Sequence, residues 1–314
     1  LSHKENQQNN LNKNLNLNCT KMFNEQDIAQ IEARGLSVEA VNQQIENFRA
    51  GFPSLPIVRA AACGDGIRRF TEEEIADIRT RYYNHLAEMI IDTISLAGIN
   101  EKRRRKETEF NLPDDFHKQI EGRDVVAYTS HYGFWEIALN LYLETPNHRV
   151  VGAYRPIKSV IIDKLFRRLR NNDEVDIVPS HQFMRHFLLN RNKDGKNLIA
   201  GLIADQNCPP TKGCCWHRFL THDSLFFDGG EQLAMKFGLP VFYLELERIE
   251  AGVYRHNYIQ IYDGKEEVQP HEITERYVRC LEQTIDAKPE HWMWSHRRWK
   301  HMPGEGAKFY NDYK

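Results

Sequence analysis

The chain has 314 residues, with 42 Lys and Arg against 44 Asp and Glu, a net charge of −2, and 41% hydrophobic residues. This composition suits one large globular domain or two, and it excludes a protein drawn to nucleic acid or acidic membranes by its overall field. Six cysteines in a chain this long read as reduced thiols of a cytosolic protein, and no run of about 18 apolar residues or signal-like segment predicts a membrane span or a leader.

Residues 1–20 form an Asn/Gln/Lys tract too polar to build a core and are expected to be disordered. The opening Leu1 reads as the start of a fragment, with Met22 as an internal start. A small helical segment and linker are expected over 21–68: helices near 24–34 and 37–50, then a Pro- and Gly-rich loop at 51–67. Thr71 with Glu74 three positions on is a capping box, opening a long amphipathic helix to about Gly98. Candidate strands at 124–129, 149–154, 175–178, 197–204, 240–247 and 254–262 then alternate with helical stretches near 134–144, 157–171, 181–192, 229–237 and 271–287. Nearly continuous apolar strands, such as Leu198–Ala204, predict an α/β fold with a mostly parallel central sheet flanked by helices, in a domain spanning 69–314.

Ligands of such sheets bind beyond the carboxyl ends of the strands. The residues that follow the strands here are His131 and Glu136, then Arg155, then His181, then Asp205 and Gln206. That polar rim suits a site that deprotonates a nucleophile and holds an anion. His131 and Glu136 stand five apart, so they meet only if the histidine lies in a turn and the glutamate in the first helical turn. The imidazole would then take a proton from a hydroxyl while the carboxylate fixes its tautomer. No G-x-S-x-G elbow supplies a serine, so the hydroxyl would belong to the substrate. On this spacing alone, a turn-capping histidine and a solvated carboxylate are the stronger reading.

Basic residues cluster at 102–106, at Arg167, Arg168 and Arg170, and at 296–301. They suggest a face for an anionic group, although solvated helix ends explain the first cluster equally well. Cys208, Cys214, Cys215, His217 and His222 lie close together, but without a paired C-x2-C; reduced loop thiols are preferred to a zinc site, and no metal is expected.

The blocks SHYGFWE (130–136), AYRPIKS (153–159), IADQN (203–207), FFDGGEQLAMKFGLPVF (226–242) and PEHWMWSHRRWK (289–300) bring a resemblance. Over roughly 70–303 the chain resembles the late lipid A acyltransferases, lauroyl and myristoyl transferases within the H-x4-D/E lysophospholipid acyltransferase superfamily. The resemblance implies αβα layers of the glycerolipid-acyltransferase kind, with His131 as general base and Glu136 as its partner. It implies no cofactor, an acyl carrier protein or coenzyme A thioester as donor, and a lipid hydroxyl as acceptor, on the cytoplasmic face of the bacterial inner membrane. Substrate would be bound by Tyr132, Gly133 and Phe134 of the turn, Tyr154 and Arg155 of the YRP block, Arg170, Asp205, Gln206 and Glu231. Arg297 and Arg298 would face anionic head groups. Phe134 departs from the asparagine common in relatives. Residues 22–67 resemble the start of an unrelated uncharacterised family in place of the relatives' anchoring helix, as in a fusion or chimera. Peripheral, salt-sensitive membrane attachment through 71–97, 102–106 and 292–300 is therefore expected. An esterase or thioesterase using the same pair, and an inactive lipid-binding platform, are the alternatives.

Overall fold

The computed structural model describes residues 60–313 except 64–65, 97–98, 157–162, 165, 168–169, 171 and 211–212, with isolated positions between 28 and 43. The expected tract 1–20 and the linker up to 59 lie outside the described residues. So do the helices expected at 24–34 and 37–50, save for single helical positions such as Ile28 and Val38. Of the helix expected at 157–171, only Asp163, Lys164, Phe166, Arg167 and Arg170 are described, and they are helical.

The loop expected at 51–67 needs correction where it is described. Ala60–Cys63 (β1) and Gly66–Arg69 (β2) pair antiparallel, with Cys63 opposite Gly66. Only two residues separate the strands, the connection length typical of hairpins, and Gly66, one of the glycines that suggested a loop, opens β2.

Glu72–Ser95 (α1) begins as predicted: the Thr71 amide donates to Glu74 Oε2 at 2.7 Å, and the Glu74 amide donates to Thr71 Oγ1 at 3.2 Å. Next comes Glu101–Glu107 (α2), whose Asn100 cap accepts from the Arg103 amide at 3.0 Å. It carries the basic run, much of which is engaged. Arg103 and Arg105 pair with Glu107 and Glu101, while Arg104 donates to Asn140 Oδ1 and Arg105 to the Leu143 carbonyl.

Thr108–Asn111 (β3), Phe116–Ile120 (α3) and Val125–Thr129 (β4) follow. The stretch expected as an α-helix at 134–144 is a 3-10 helix, Trp135–Leu143. His148–Tyr154 (β5), Val175–Pro179 (β6), Ser180–Asn190 (α4) and Asn197–Ile203 (β7) continue the alternation. Cys214–Phe219 (β8) and His222–Phe227 (β9) form a separate hairpin, and Gly229–Phe237 (α5), Val241–Glu250 (β10), Val253–Tyr262 (β11) and Glu272–Ala287 (α6) complete the described elements.

Seven strands make one sheet in the order β3-β11-β10-β4-β7-β5-β6. All neighbours run parallel except the hairpin β10–β11. Alternate residues of the central strands face two cores. Val126, Tyr128, Val151, Leu198 and Tyr243 pack with Ile78, Phe187, Leu233 and Tyr277 from helices α1, α4, α5 and α6. Val125, Ala127, Val150, Ile199 and Leu244 pack with Phe116, Ile137 and Leu141 on the other side. The mostly parallel sheet between helices is the α/β architecture that the apolar strands predict.

Three histidines are sealed in this frame. His85 stacks on His291 with ring centroids 4.3 Å apart, and His256 meets the Phe110 ring edge to face at 5.1 Å. Burial lowers each from the ordinary 6.5 to about 3. All three stay neutral in the fold while the unfolded chain takes up protons, so stability complete above about pH 6.5 falls as the pH drops towards 3. Denaturation midpoints between pH 7 and 4 should therefore fall steeply, and His256→Leu should make that fall shallower by one proton. An unchanged slope in the variant would overturn the assignment.

Candidate active site

The parallel register of β4 and β7 builds the centre of the site. Thr129 lies opposite Ile203, so the residues two positions beyond each, His131 and Asp205, emerge side by side at the carboxyl edge. The His131 amide donates to Asp205 Oδ2 at 3.0 Å, and His131 Nδ1 lies 2.7 Å from Asp205 Oδ1. Trp292 Nε1 donates to Asp205 Oδ2 at 2.8 Å. Burial acts to raise the Asp205 pKa, but the His131 imidazole and the donated hydrogen bonds outweigh it and hold the carboxyl below its usual range. An ionised Asp205 accepts the Nδ1 proton, so neutral His131 keeps its lone pair on Nε2. That nitrogen lies 3.2 Å from Gln206 Nε2, in the wall of a cavity.

A strap from the far end of the chain holds the turn. The Gly133 amide donates to the His291 carbonyl and the Met293 amide to the His131 carbonyl, both at 3.0 Å, with Tyr132 bridged to Trp292. Gly133 has φ +59° and would place a Cβ 2.9 Å from the Leu246 carbonyl oxygen, so no other residue fits there without backbone movement.

The direct pairing of His131 with Glu136 is not what the structure shows. Glu136 accepts two hydrogen bonds from Arg170, Nε to Oε2 at 2.6 Å and Nη2 to Oε1 at 2.5 Å. A guanidinium fork satisfies a carboxylate's two oxygens better than one imidazole N–H can. Trp135 meets the His131 ring edge to face at 5.1 Å. His131, Glu136 and Arg170 all line the same cavity, so the glutamate is in the site but not on the imidazole.

The cavity has a volume of about 620 Å³ and runs from His131 between the sheet and the 3-10 helix. At three residues per turn, Trp135, Ala138 and Leu141 share one edge of that helix and Glu136 and Leu139 the next, and all five line the cavity. Its floor is a row of small residues in register: Ala127 opposite Gly201, and Gly201 opposite Gly152. The row below carries the branched Val125, Ile199 and Val150; a Cβ at Gly201 would meet nothing nearer than 3.6 Å, whereas at Gly152 the space is taken by Ile177 and Leu139.

Of the other expected substrate contacts, Tyr154, Arg155 and Gln206 line the cavity. Tyr132, Gly133 and Phe134 do not; Tyr132 packs near His291 and Phe134 on Tyr254, so they build the turn. Glu231 accepts from the Thr274 amide at 2.9 Å and from Thr274 Oγ1 at 2.5 Å, satisfying an N-terminal donor of α6 rather than shaping the acceptor site. Arg298 cannot face head groups. Its guanidinium is buried 4.2 Å from the Phe226 ring centroid and donates to the Leu225 carbonyl, and burial lowers its pKa to about 10. Trp292 and Trp294 are buried as well, which removes these two indoles from a membrane surface, while Arg297 is exposed outside the cavity wall. His217 pairs with Glu275 at 2.7 Å, and no group of three potential ligands clusters among the described residues. Sequence reasoning missed Trp135, Trp292 and the small floor; the small residues were visible as Ala127, Gly152 and Gly201 inside predicted strands.

The site is thus the carboxyl edge of a parallel sheet that presents an aspartate-oriented histidine at the head of a largely apolar cavity. The comparisons agree: the chain belongs to the bacterial lipid A biosynthesis acyltransferase family, matched over residues 69–301. It is thus an acyltransferase with an acyl donor and a lipid acceptor. Residues 24–99 match a domain of unknown function, DUF4301, consistent with the unrelated opening read from the sequence; α1 lies in both matches. No curated protein matches the chain. No helix among the described residues is long and apolar enough to cross a membrane.

The geometry ranks the two carboxylates. Asp205→Asn should lower kcat by about 10²–10⁴-fold, because the amide no longer stabilises the Nδ1-protonated ring as it charges. Glu136→Gln should cost less, since it weakens only the grip on Arg170. Steady-state kinetics of the two variants decide, and the opposite ranking would restore the His131–Glu136 pair.

Proposed function

We propose that the protein moves a fatty acyl chain from an acyl carrier protein or coenzyme A thioester to a hydroxyl of a lipid A precursor or related glycolipid, with His131 as general base. The observation that carries this reading is the His131 Nε2 lone pair, turned by Asp205 into an apolar cavity. The acyl chain lies along the floor of Ala127, Gly201 and Gly152, with its thioester near His131. Nε2 takes the hydroxyl proton as the oxygen attacks the thioester carbonyl. The tetrahedral oxyanion is met by the Gln206 amide, which sits beside Nε2. The C–S bond then breaks, and the departing thiolate takes the proton back from the imidazolium. Arg155, exposed on the rim, offers its guanidinium to a phosphate of donor or acceptor.

The lipid acceptor requires the cavity mouth to meet a bilayer, here the cytoplasmic face of the inner membrane. Exposed apolar side chains mark one face next to the cavity: Leu189 (70%), Met184 and Leu188 on α4, the helix whose first turn brings Ser180 and Phe183 to the cavity wall, and Phe227 (52%), itself a lining residue. Peripheral attachment through this face replaces the Trp/Arg segment that the sequence suggested.

Two measurements test the reading. With a panel of acyl thioesters and lipid acceptors followed by mass spectrometry, the parent should acylate a lipid and His131→Ala should lose about 10²–10⁴-fold of the rate. In the same assay Gly201→Leu should shift the preference to shorter chains. A Cβ at Gly201 meets nothing nearer than 3.6 Å, so the new side chain fits by filling the cavity, and each methylene it displaces forfeits about 0.8 kcal/mol. An unchanged chain profile would move the acyl chain elsewhere. Co-sedimentation with anionic vesicles should weaken with Leu189→Glu, and binding that ignores this change would exclude the α4 face.

A further inference from the structure

Cys208 and Cys214 take no part in the proton-transfer chemistry, yet Cys208 ends the segment that brings Asp205 and Gln206 to the site. The Cys208 thiol donates to Cys214 Sγ across 3.1 Å, about an ångström beyond the roughly 2.0 Å of a disulfide. Both side chains are partly buried and partly reachable, and Cys214 Sγ also lies 3.5 Å from the Pro209 carbonyl oxygen. The two sulfurs stand on unlike supports. Cys208 closes the segment that begins with Asp205 and Gln206, and it lines the cavity with Gln206, Asn207 and Pro209. Cys214 opens β8, paired with Phe227 of β9, and the preceding Gly213 is pinned by its carbonyl to the Asp228 amide at 3.0 Å.

We infer that Cys208 and Cys214 are a thiol-oxidation site, forming a reversible intramolecular disulfide that ties the Gln206-bearing loop to the β8–β9 hairpin and alters the cavity wall. The co-reactant is a small-molecule disulfide. The hydrogen bond to Cys214, together with burial, pushes the Cys208 thiol pKa up, which leaves Cys214, on losing its proton, as the sulfur to attack first. Cys214 attacks one sulfur of the reagent, forming a mixed disulfide and expelling a thiolate. Cys208, on losing its proton, attacks Cys214 Sγ and expels the second thiolate. The protein gives up two electrons and two protons, and the reagent disulfide becomes two thiols. Neither Cys215 nor Cys280 competes: Cys215 is buried against the Trp216 and Lys308 carbonyls, and burial raises Cys280 to about 11. A short, accessible loop disulfide belongs to the labile, regulatory class rather than the structural one.

The site itself stands independently of the acyl-transfer reading, and only its consequence for activity rests on that reading. The full chain, reduced and then treated with oxidised glutathione, should lose the mass of two hydrogens, and peptide mapping should join 208 to 214. Acyl transfer should fall several-fold and return with dithiothreitol. Cys214→Ser, whose sulfur is outside the cavity wall, should keep the parent's reduced activity, never lose two hydrogens, and resist the oxidant. A stable glutathione adduct in place of the internal bridge, or no reaction, overturns the site. A bridge that forms without changing the parent's rate overturns its effect on the cavity. A reduced parent that transfers no acyl group defeats the proposed function instead, while the mass measurement still decides the bridge.

Discussion

A carboxylate buried to 2% exposure must have its oxygens answered by donors within the protein or give up its charge, and Asp205 is answered three times. Its donors are the His131 amide, the His131 ring and the Trp292 indole. The carboxylate thereby fixes where β4 ends relative to β7, which ring nitrogen of His131 carries the proton, and where the 291–293 strap lies. The strap in turn closes the turn at Gly133, and that turn launches the 3-10 helix over the cavity. Replacing the ion with a neutral group would leave several buried donors without partners at once, each costing about 1–3 kcal/mol.

The second carboxylate serves the cavity rather than the base. Held by the Arg170 fork, Glu136 keeps a charged pair at the wall of an otherwise apolar space. Such a pair is poorly placed to orient the imidazole, because both carboxylate oxygens are already taken by the guanidinium fork. Two acidic residues near one histidine thus divide their work by their partners: one orients the ring and the other frames the entrance.

The fold was largely legible because central strands such as β4 and β7 are apolar runs, where continuous hydrophobicity is a strong signal. β3 escaped notice because Thr108-Glu109-Phe110-Asn111 is a short edge strand with polar alternation. The β8–β9 hairpin was hidden by its cysteines and histidines, whose chemistry suggested ligands rather than pleats. The capping box at Thr71 was read correctly because it is local, complete within four residues. The site was legible in its members and not in its pairings. His131, Glu136 and Asp205 were all marked, but the His131–Asp205 contact spans 74 positions and follows from strand register, which spacing in the sequence does not encode. Arg298 misled for a related reason: a basic run looks like a surface until packing places one guanidinium against an aromatic ring.

The strap has a consequence for how the protein is made. Trp292 lies 87 residues after Asp205 in the chain. At ribosomal rates of about 5–20 residues per second, it leaves synthesis roughly 4–17 s after the carboxylate it must satisfy. Throughout that interval a nascent chain holds the sheet strands through β7 but lacks the indole donor and the His291 and Met293 backbone partners of the 131–133 turn. The centre therefore cannot mature piece by piece. Competence arrives in one late step, when nearly the whole domain is present, and a chain cut short before the strap would carry every cavity residue and still lack an ordered base.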